Sequence, residues 1–213
     1  MSARDDTAIP PPRRGRPPLV ENQRERILER AAVLFGTHGY QGVGIAALAD
    51  DLGVSKAALF HYFPSKRDIY DSIVLDVLRG LAESVREAVS DDDDARTRLL
   101  SFMRAHAGYF EEHYWQFVVM LVGFGDITPP RVDEVVQIRD EHEAHLRRIL
   151  SDGVGDGSFK ELDVATTGRA VLSMLNWMAR WYKPDGTQRA AEIAEQYGEL
   201  LLAGLDAKPS GSR

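Results

Sequence analysis

The sequence predicts an all-α protein: an N-terminal three-helix head followed by a larger C-terminal helical domain, about nine helices in all. Three observations carry that expectation. Apolar residues recur at three- and four-residue spacing in one segment after another. Good capping residues open those segments and glycines or prolines close them. No alternating strand pattern competes. With 213 residues and 44% hydrophobic content, the chain is long enough to bury a substantial core.

The elements follow in order. Asn22 with Glu25 reads as a capping box, and Ile27, Ala31, Leu34 and Phe35 continue at helical spacing until Gly39, so helix one is expected from about Gln23 to His38. Ile45, Leu48, Ala49 and Leu52 need two turns of helix, which Gly53 can end in the left-handed conformation. Ser55 is a good N-cap for a third helix that places Leu59 and Phe63 on one face and must stop at Pro64. Two short helices joined at Gly53 and Val54 make a helix-turn-helix. Ser65 and Asp68 cap helix four, whose stripe of Ile69, Ile73, Val77, Leu81 and Val85 runs on to near Ser90.

A helix-turn-helix lays its second helix in the major groove of DNA, with the N-terminal residues at base edges. Here that helix offers Lys56, Ala57, Ala58 and His61, with Phe60 and Tyr62 beside them, and small side chains permit close approach to thymine methyls. Lys66, at the start of helix four, is expected to hold a phosphate together with free backbone amides. The first twenty residues are rich in proline and read as a disordered arm. Within them Arg13, Arg14 and Arg16 surround a glycine. Two readings of that basic stretch stand: an extended arm entering an A·T minor groove, or a flexible leader that only solubilises. The net charge of −7 is unevenly spread: residues 1–70 hold 10 Lys and Arg against 8 Asp and Glu, the rest 16 against 25. A mildly basic head on an acidic body suits DNA better than the total suggests.

The segment GVSKAALFHYFPSKRDIY, residues 53–70, following an arginine-bearing first helix and the Gly39-Tyr40 pair, resembles the TetR family of transcription regulators. The resemblance implies an all-helical homodimer with an N-terminal DNA-binding domain and a larger ligand-binding and dimerisation domain. It also implies that Lys56, Ala57, Ala58, Phe60, Tyr62 and Lys66 contact DNA. One departure is Gly44, where the family often carries Ser or Thr to hold a phosphate; its backbone amide is still available. The candidate DNA-binding set is therefore Arg13, Arg14, Arg16, Gly44, Ser55, Lys56, Ala57, Ala58, Phe60, His61, Tyr62 and Lys66.

Beyond the acidic turn Asp91 to Asp94, helix five is expected from about Ala95 to Glu112 with Leu99, Phe102, Met103, His106, Tyr109 and Phe110 on one face. The stretch from Tyr114 to Phe124 is apolar nearly all round. Thr128, Pro129 and Pro130 open helix seven, which should reach about Asp152 with a stripe of Val132, Val135, Val136, Leu146, Ile149 and Leu150. Arg139 and His142 lie on that stripe, so Arg139 either pairs with a carboxylate or meets a polar ligand group. Asp163 caps helix eight to about Tyr182, and Thr187 caps helix nine to about Leu205. Val171, Met174, Leu175 and Met178 on helix eight face one way, as do Ile193, Tyr197, Leu200 and Leu201 on helix nine. The two are expected to pair and to dock on a second copy as a four-helix bundle.

The segments IRDEHEAHLRRILSDGVGDGSF and NWMARWYKPDG resemble, more loosely, the TetR subgroup that senses fatty acyl-CoA or sterol-derived CoA thioesters. The candidate cavity residues are His106, Phe110, Phe117, Met120, Leu121, Phe124, Arg139, His142, Met174, Trp177 and Trp181. For Trp177 and Trp181, filling a dimer or domain core is the competing reading.

Other chemistries find little support. With no cysteine there is no disulfide, thiolate zinc site or cysteine nucleophile. The four aspartates 91–94 lack the glycine-bearing loop of a calcium cage. His142 and His145 share a face but do not make HExxH, and no cofactor fingerprint or serine elbow occurs, so no cofactor and no catalysis are expected. No apolar run spans a bilayer, which favours a cytoplasmic protein. The expected organisation is an arm at 1–20, the DNA-binding domain at 21–68, the ligand-binding and dimerisation domain at 69–206, and a tail at 207–213. The expected partners are an operator in double-stranded DNA, a small apolar effector and a second copy of the chain through its last two long helices. A non-specific architectural DNA binder, an activator of the same fold and a helical metal enzyme centred on His142 and His145 are the alternatives.

Overall fold

The computed structural model describes residues 20–122 and 131–205, within which every regular element is helical. The head contains α1 (Val20–His38), α2 (Ile45–Leu52) and α3 (Lys56–Tyr62), and α4 (Lys66–Ala88) leads from it into the body. The body adds α5 (Ala95–Glu112), α6 (Tyr114–Val122), α7 (Arg131–Gly155), α8 (Val164–Trp177) and α9 (Ala190–Leu205), with a short 3-10 turn at Met178–Arg180.

Local hydrogen bonds set most of these boundaries. The Ser55 hydroxyl accepts from the Ala58 amide at 3.1 Å and Ser65 from the Asp68 amide at 3.1 Å, while Asp94 and Asp163 accept from Thr97 and Thr166 at 2.8 Å each. Gly53 closes α2 at φ 67, with its amide on the Asp50 carbonyl and the Val54 amide on the Ala49 carbonyl. That pair of bonds needs a left-handed residue, which glycine supplies without strain.

Four boundaries differ from the sequence expectation. Helix α1 starts at Val20, so Asn22 lies within its first turn rather than at its cap. Helix α7 continues to Gly155. Helix α8 stops at Trp177, short of Tyr182, because Tyr182 turns into the core, where it is only 4% exposed and its hydroxyl donates to the Glu111 carboxylate. Helix α9 starts at Ala190, and the Glu192 carboxylate reaches back to accept from the Arg189 amide at 3.1 Å, so Thr187, expected as the cap, lies ahead of the helix.

One continuous apolar core runs through head and body. In the head it comprises Ile27, Ala31, Phe35, Leu48 and Leu59; in the body it centres on α5, through Leu99, Phe102 and Phe110. Each buried Ile, Leu or Phe among them stabilises the fold by roughly 1.5–3 kcal/mol. Helix α5 packs against α4, α7 and α9, while α6 packs against α1 and α4. Helix α8 leans on α7 and α9 on α5, so the two final helices do not form the packed pair expected within one chain. Helix α7 is also rotated from its expected face. Val135, Leu146, Ile149 and Leu150 are buried, but Val136 is 44% exposed and Arg139 faces solvent, so Arg139 is not a buried cation.

Candidate functional site

The head presents α3 outward. Leu59 is its one buried side chain, fully enclosed, and it anchors the helix so that Lys56, Ala57, Ala58, Phe60 and His61 stay exposed. Phe60, at 45% exposure, is a large apolar group held in water. Tyr62 is half-buried, with its ring edge-on to His61 at 5.5 Å. Ser55 is exposed while its hydroxyl caps α3, and Gly44 sits in extended backbone at the start of α2. Arg30 holds the end of α2 to α1 through a two-bond fork onto Asp51, both bonds 2.8 Å, which keeps the Asp51 carboxyl below its ordinary pKa.

Lys66 departs from the expectation of a cation free to hold phosphate. Its ammonium donates to the Tyr40 carbonyl and lies 4.1 Å from the centre of the Tyr40 ring and 5.7 Å from that of Phe35. Burial pushes its pKa down. It ties the start of α4 to the turn after α1, an arrangement invisible from sequence because Tyr40 and Lys66 meet only in the fold. Arg13, Arg14 and Arg16 lie outside the described residues.

In the body, α4, α5, α6, α7 and α8 enclose a cavity of about 470 Å³, within the ordinary range for small-molecule sites. Leu78, Leu81, Met120, Leu121, Ile138 and Leu172 supply its apolar walls. Exposed Arg139, Asp140 and Arg169 stand at its mouth. His106, 1% exposed, lines its floor, where its Nδ1 lies 3.3 Å from Nε2 of His142. Burial holds His106 well below the usual imidazole pKa, and the facing His142 adds to the effect. Burial likewise brings His142 down to about 4, reinforced by His145. Both imidazoles are therefore neutral at pH 7, and one ring's N–H donates to the other's bare nitrogen across their contact. A wider groove of about 590 Å³ lies on the α4 side of Ile138 and His142. Half of its lining is charged, with Arg79, Arg86 and Arg148 offset by Glu83, Asp91 and Glu141, and its apolar residues, Ala82, Val89, Ile138 and Ala144, are mostly small.

Of the residues expected at a cavity, His106, Met120, Leu121, Arg139 and His142 do line it. Phe110 and Phe117 lie in the core instead, edge-to-face at 5.4 Å, with Phe117 against the His106 ring at 5.7 Å. Met174 is half-buried away from the cavity, and Phe124 falls outside the described residues. Trp177 and Trp181 are exposed by 64% and 45%. Trp177 follows the inward-facing Asn176 and so projects about 100° further round the helix. Trp181 lies past the end of α8 and loses its register altogether. Leu78, Leu81, Ile138 and Leu172 also line it, as do the polar Asp140, Glu143, Arg169, Ser173 and Asn176, none of them expected there. The aliphatic ones are indistinguishable by sequence from ordinary core, but Asn176, one turn after Leu172, is a polar interruption visible along the helix.

Helix α6 joins cavity to head. Met120 and Leu121 face the cavity, while Trp115 packs on α1 at Gly36 so closely that a Cβ there would lie 2.6 Å from Cε3 of the indole. The Tyr70 hydroxyl also donates to the Val119 carbonyl at 3.4 Å. At the other end of the cavity wall, Arg131 of α7 reaches Asp68 and Ser72 at the base of α4, at 3.6 and 3.4 Å. The connection between the two regions therefore runs through α6 and α7 as well as α4.

Comparison with known proteins places this geometry. Residues 27–73 match the family of bacterial regulatory proteins named tetR, and residues 92–205 match the tetracyclin repressor-like C-terminal domain. The chain belongs to the TetR family. Among solved members, the regulator PfmR from Thermus thermophilus is 49% identical, with a TM-score of 0.81 over 85% of this chain and 100% of that one. The transcriptional repressor KstR2 of Mycolicibacterium smegmatis is 26% identical over 191 residues, 89% of this chain and 93% of KstR2. The transcriptional activator FasR of Mycolicibacterium smegmatis is 30% identical over 157 residues, 67% of this chain and 71% of FasR. In this TetR-family chain, no helix among the described residues is long and apolar enough to cross a membrane.

Proposed function

We propose that this TetR-family protein is a repressor that occupies a palindromic operator as a homodimer and leaves it when an apolar effector fills the inner cavity. The single observation that carries the reading is the pairing of an outward-facing α3 with a cavity that has apolar walls and a polar mouth, joined by α4 and α6. Lys56, Ala57, Ala58, Phe60 and His61 are in position to meet base edges and backbone in a major groove. Gly44, Ser55, Tyr62 and the remaining N–H groups of Lys66 flank that surface, and the arm with Arg13, Arg14 and Arg16 precedes it. KstR2, named as a repressor and matched over 89% of this chain, supports repression, while FasR, named as an activator and matched over 67%, keeps activation as the alternative.

The apolar walls, the neutral floor at His106 and the forked donors of Arg139 and Arg169, which stand at the mouth with Asp140 and Glu143, suit an effector with an apolar tail and a polar head that carries anionic groups. A fatty or sterol-derived acyl-CoA has that layout. Trp177, Trp181 and Leu200, the last 73% exposed, leave apolar surface on and beside α8 and α9 that a second copy would cover. Dimerisation there would set two α3 helices about 34 Å apart on one face of the duplex. An effector need only prefer the released state, and a preference of ~10⁴-fold would move the equilibrium from 1:99 to 99:1.

Fluorescence anisotropy of labelled DNA from upstream of the protein's own gene, titrated with protein and then with acyl-CoA thioesters and free acids, tests the reading. Specific binding released by a thioester is expected, and Lys56→Ala should lower the salt slope of binding by about one. Equal binding to scrambled DNA would replace the reading with an architectural one, and sedimentation showing only monomer at micromolar concentration would remove the dimer.

A further inference from the structure

The floor of the cavity is unfinished in one respect. His106 is almost completely enclosed and its Nδ1 is engaged by His142, yet its Nε2 has no hydrogen-bond partner among the described residues. The Asn176 carboxamide, on the cavity wall from α8, is in hydrogen-bonding reach of the ring and opposes the fall of its pKa, but the contact falls short of ordinary hydrogen-bond geometry. A buried nitrogen left in this way destabilises the fold, and a leucine or phenylalanine would remove the penalty. Its presence at a cavity floor points to a guest that supplies the missing partner.

We infer that His106 and Asn176 together read a neutral carbonyl oxygen on the effector, the group that joins its apolar tail to its head. The inference rests on the effector-cavity reading above and adds the chemistry of its specificity. When the His142 Nε2–H donates to His106 Nδ1, the His106 proton sits on Nε2 and faces the guest. The Asn176 amide supplies a second N–H, and a carbonyl oxygen has two lone pairs to accept both. A carboxylate fits poorly at this depth. The groups that could neutralise it, Arg139 and Arg169, are exposed at the mouth, and a bare anion against two neutral imidazoles would be desolvated without compensation. Burial keeps both rings uncharged at neutral pH, which supports the same choice. His106 is thus a specificity-determining residue, and the rings of Phe102 and Phe117 that flank it, at 6.4 and 5.7 Å, hold its orientation.

The test compares octanoyl-CoA with its thioether analogue S-octyl-CoA, which lacks only the carbonyl oxygen, by calorimetric titration of the full chain. The wild-type protein should bind the thioester about 10–100-fold more tightly, the range expected for a satisfied buried polar group. His106→Leu should abolish that difference, leave thioether affinity unchanged and unfold at the same or a higher temperature. His106→Gln, which can still present an N–H, should restore part of the preference. Asn176→Leu should narrow the difference in its own right and serves if the His106 variants do not fold. Equal wild-type affinity for the two probes would overturn the inference and leave the cavity reading standing. Binding of neither would overturn the acyl-CoA reading and the inference with it. An equal loss for both probes in His106→Leu would make the residue a packing element only.

Discussion

The head and the cavity treat their polar groups in opposite ways. In the head, Ser55 and Ser65 cap helices, Arg30 meets Asp51 and Lys66 meets Tyr40, so these polar groups are satisfied by partners within the same domain or its first turn. The cavity instead leaves His106 Nε2, enclosed at its floor, without a hydrogen bond of ordinary geometry. The difference teaches where a guest can act. A surface whose internal bonds are complete is a rigid reader, and a guest changes little there; a pocket with a missing partner gains most from one, and its gain passes outward through the helices that wall it.

Several substitutions break or sharpen that contrast. The largest effect belongs to the rigid reader: Leu59→Ala removes the one buried anchor of α3 and should cost about 2–5 kcal/mol, read from urea unfolding. A loss below about 1 kcal/mol would mean that α3 is held by its cap instead. Next is the cavity. The folded-state pKa of His142 is about 4, below the ordinary 6.5, so between these values the unfolded chain binds a proton that the folded chain does not. Its contribution is complete above pH 6.5 and is lost as pH falls toward 4, by at most about 3 kcal/mol. His106 adds in the same direction. Unfolding at pH 7, 5.5 and 4 should show a steeper acid loss in wild type than in His142→Phe, and parallel profiles would sink the argument.

The junction comes third. Gly36→Val would force its new side chain onto the Trp115 indole, and a loss of about 1–3 kcal/mol is expected by thermal unfolding. If stability holds, α1 and α6 can separate freely and α6 does not transmit strain to the head. Smallest of all, Arg86→Ala breaks a surface pair with Glu83, 2.9 Å long and mostly exposed, and should change stability by less than about 0.5 kcal/mol. A larger loss would show that the charged outer groove of α4 and α7 matters to the fold.

Sequence reading was most accurate where signals are local. Ser55, Gly53 and Ser65 place α2, α3 and α4 because each acts on amides or carbonyls a few residues away. Asp94 likewise starts α5 at Ala95, and its run reaches Glu112 as expected. It was least accurate where a distant partner decides the outcome. Tyr182 is drawn inward by Glu111 and ends α8 early, and Lys66 is turned away from solvent by Tyr40. By sequence Trp177 and Trp181 suit the lining of a cavity or the filling of a dimer or domain core, yet their direction follows from the end of a helix that no residue nearby announces.

By itself, then, the sequence determined the all-helical class, the helix-turn-helix, the residues that α3 leaves in water and the family those residues resemble. Caps, turn glycines and apolar spacing act over a few residues, so their consequences can be read along the chain. Only the tertiary structure decided which face of α7 is buried, which residues wall the cavity and which nitrogen inside it lacks a partner. A cavity is a space left among five helices, and a missing hydrogen bond is a relation between groups as far apart as His106, His142 and Asn176. Neither exists until packing has fixed the rotation and spacing of every helix around it.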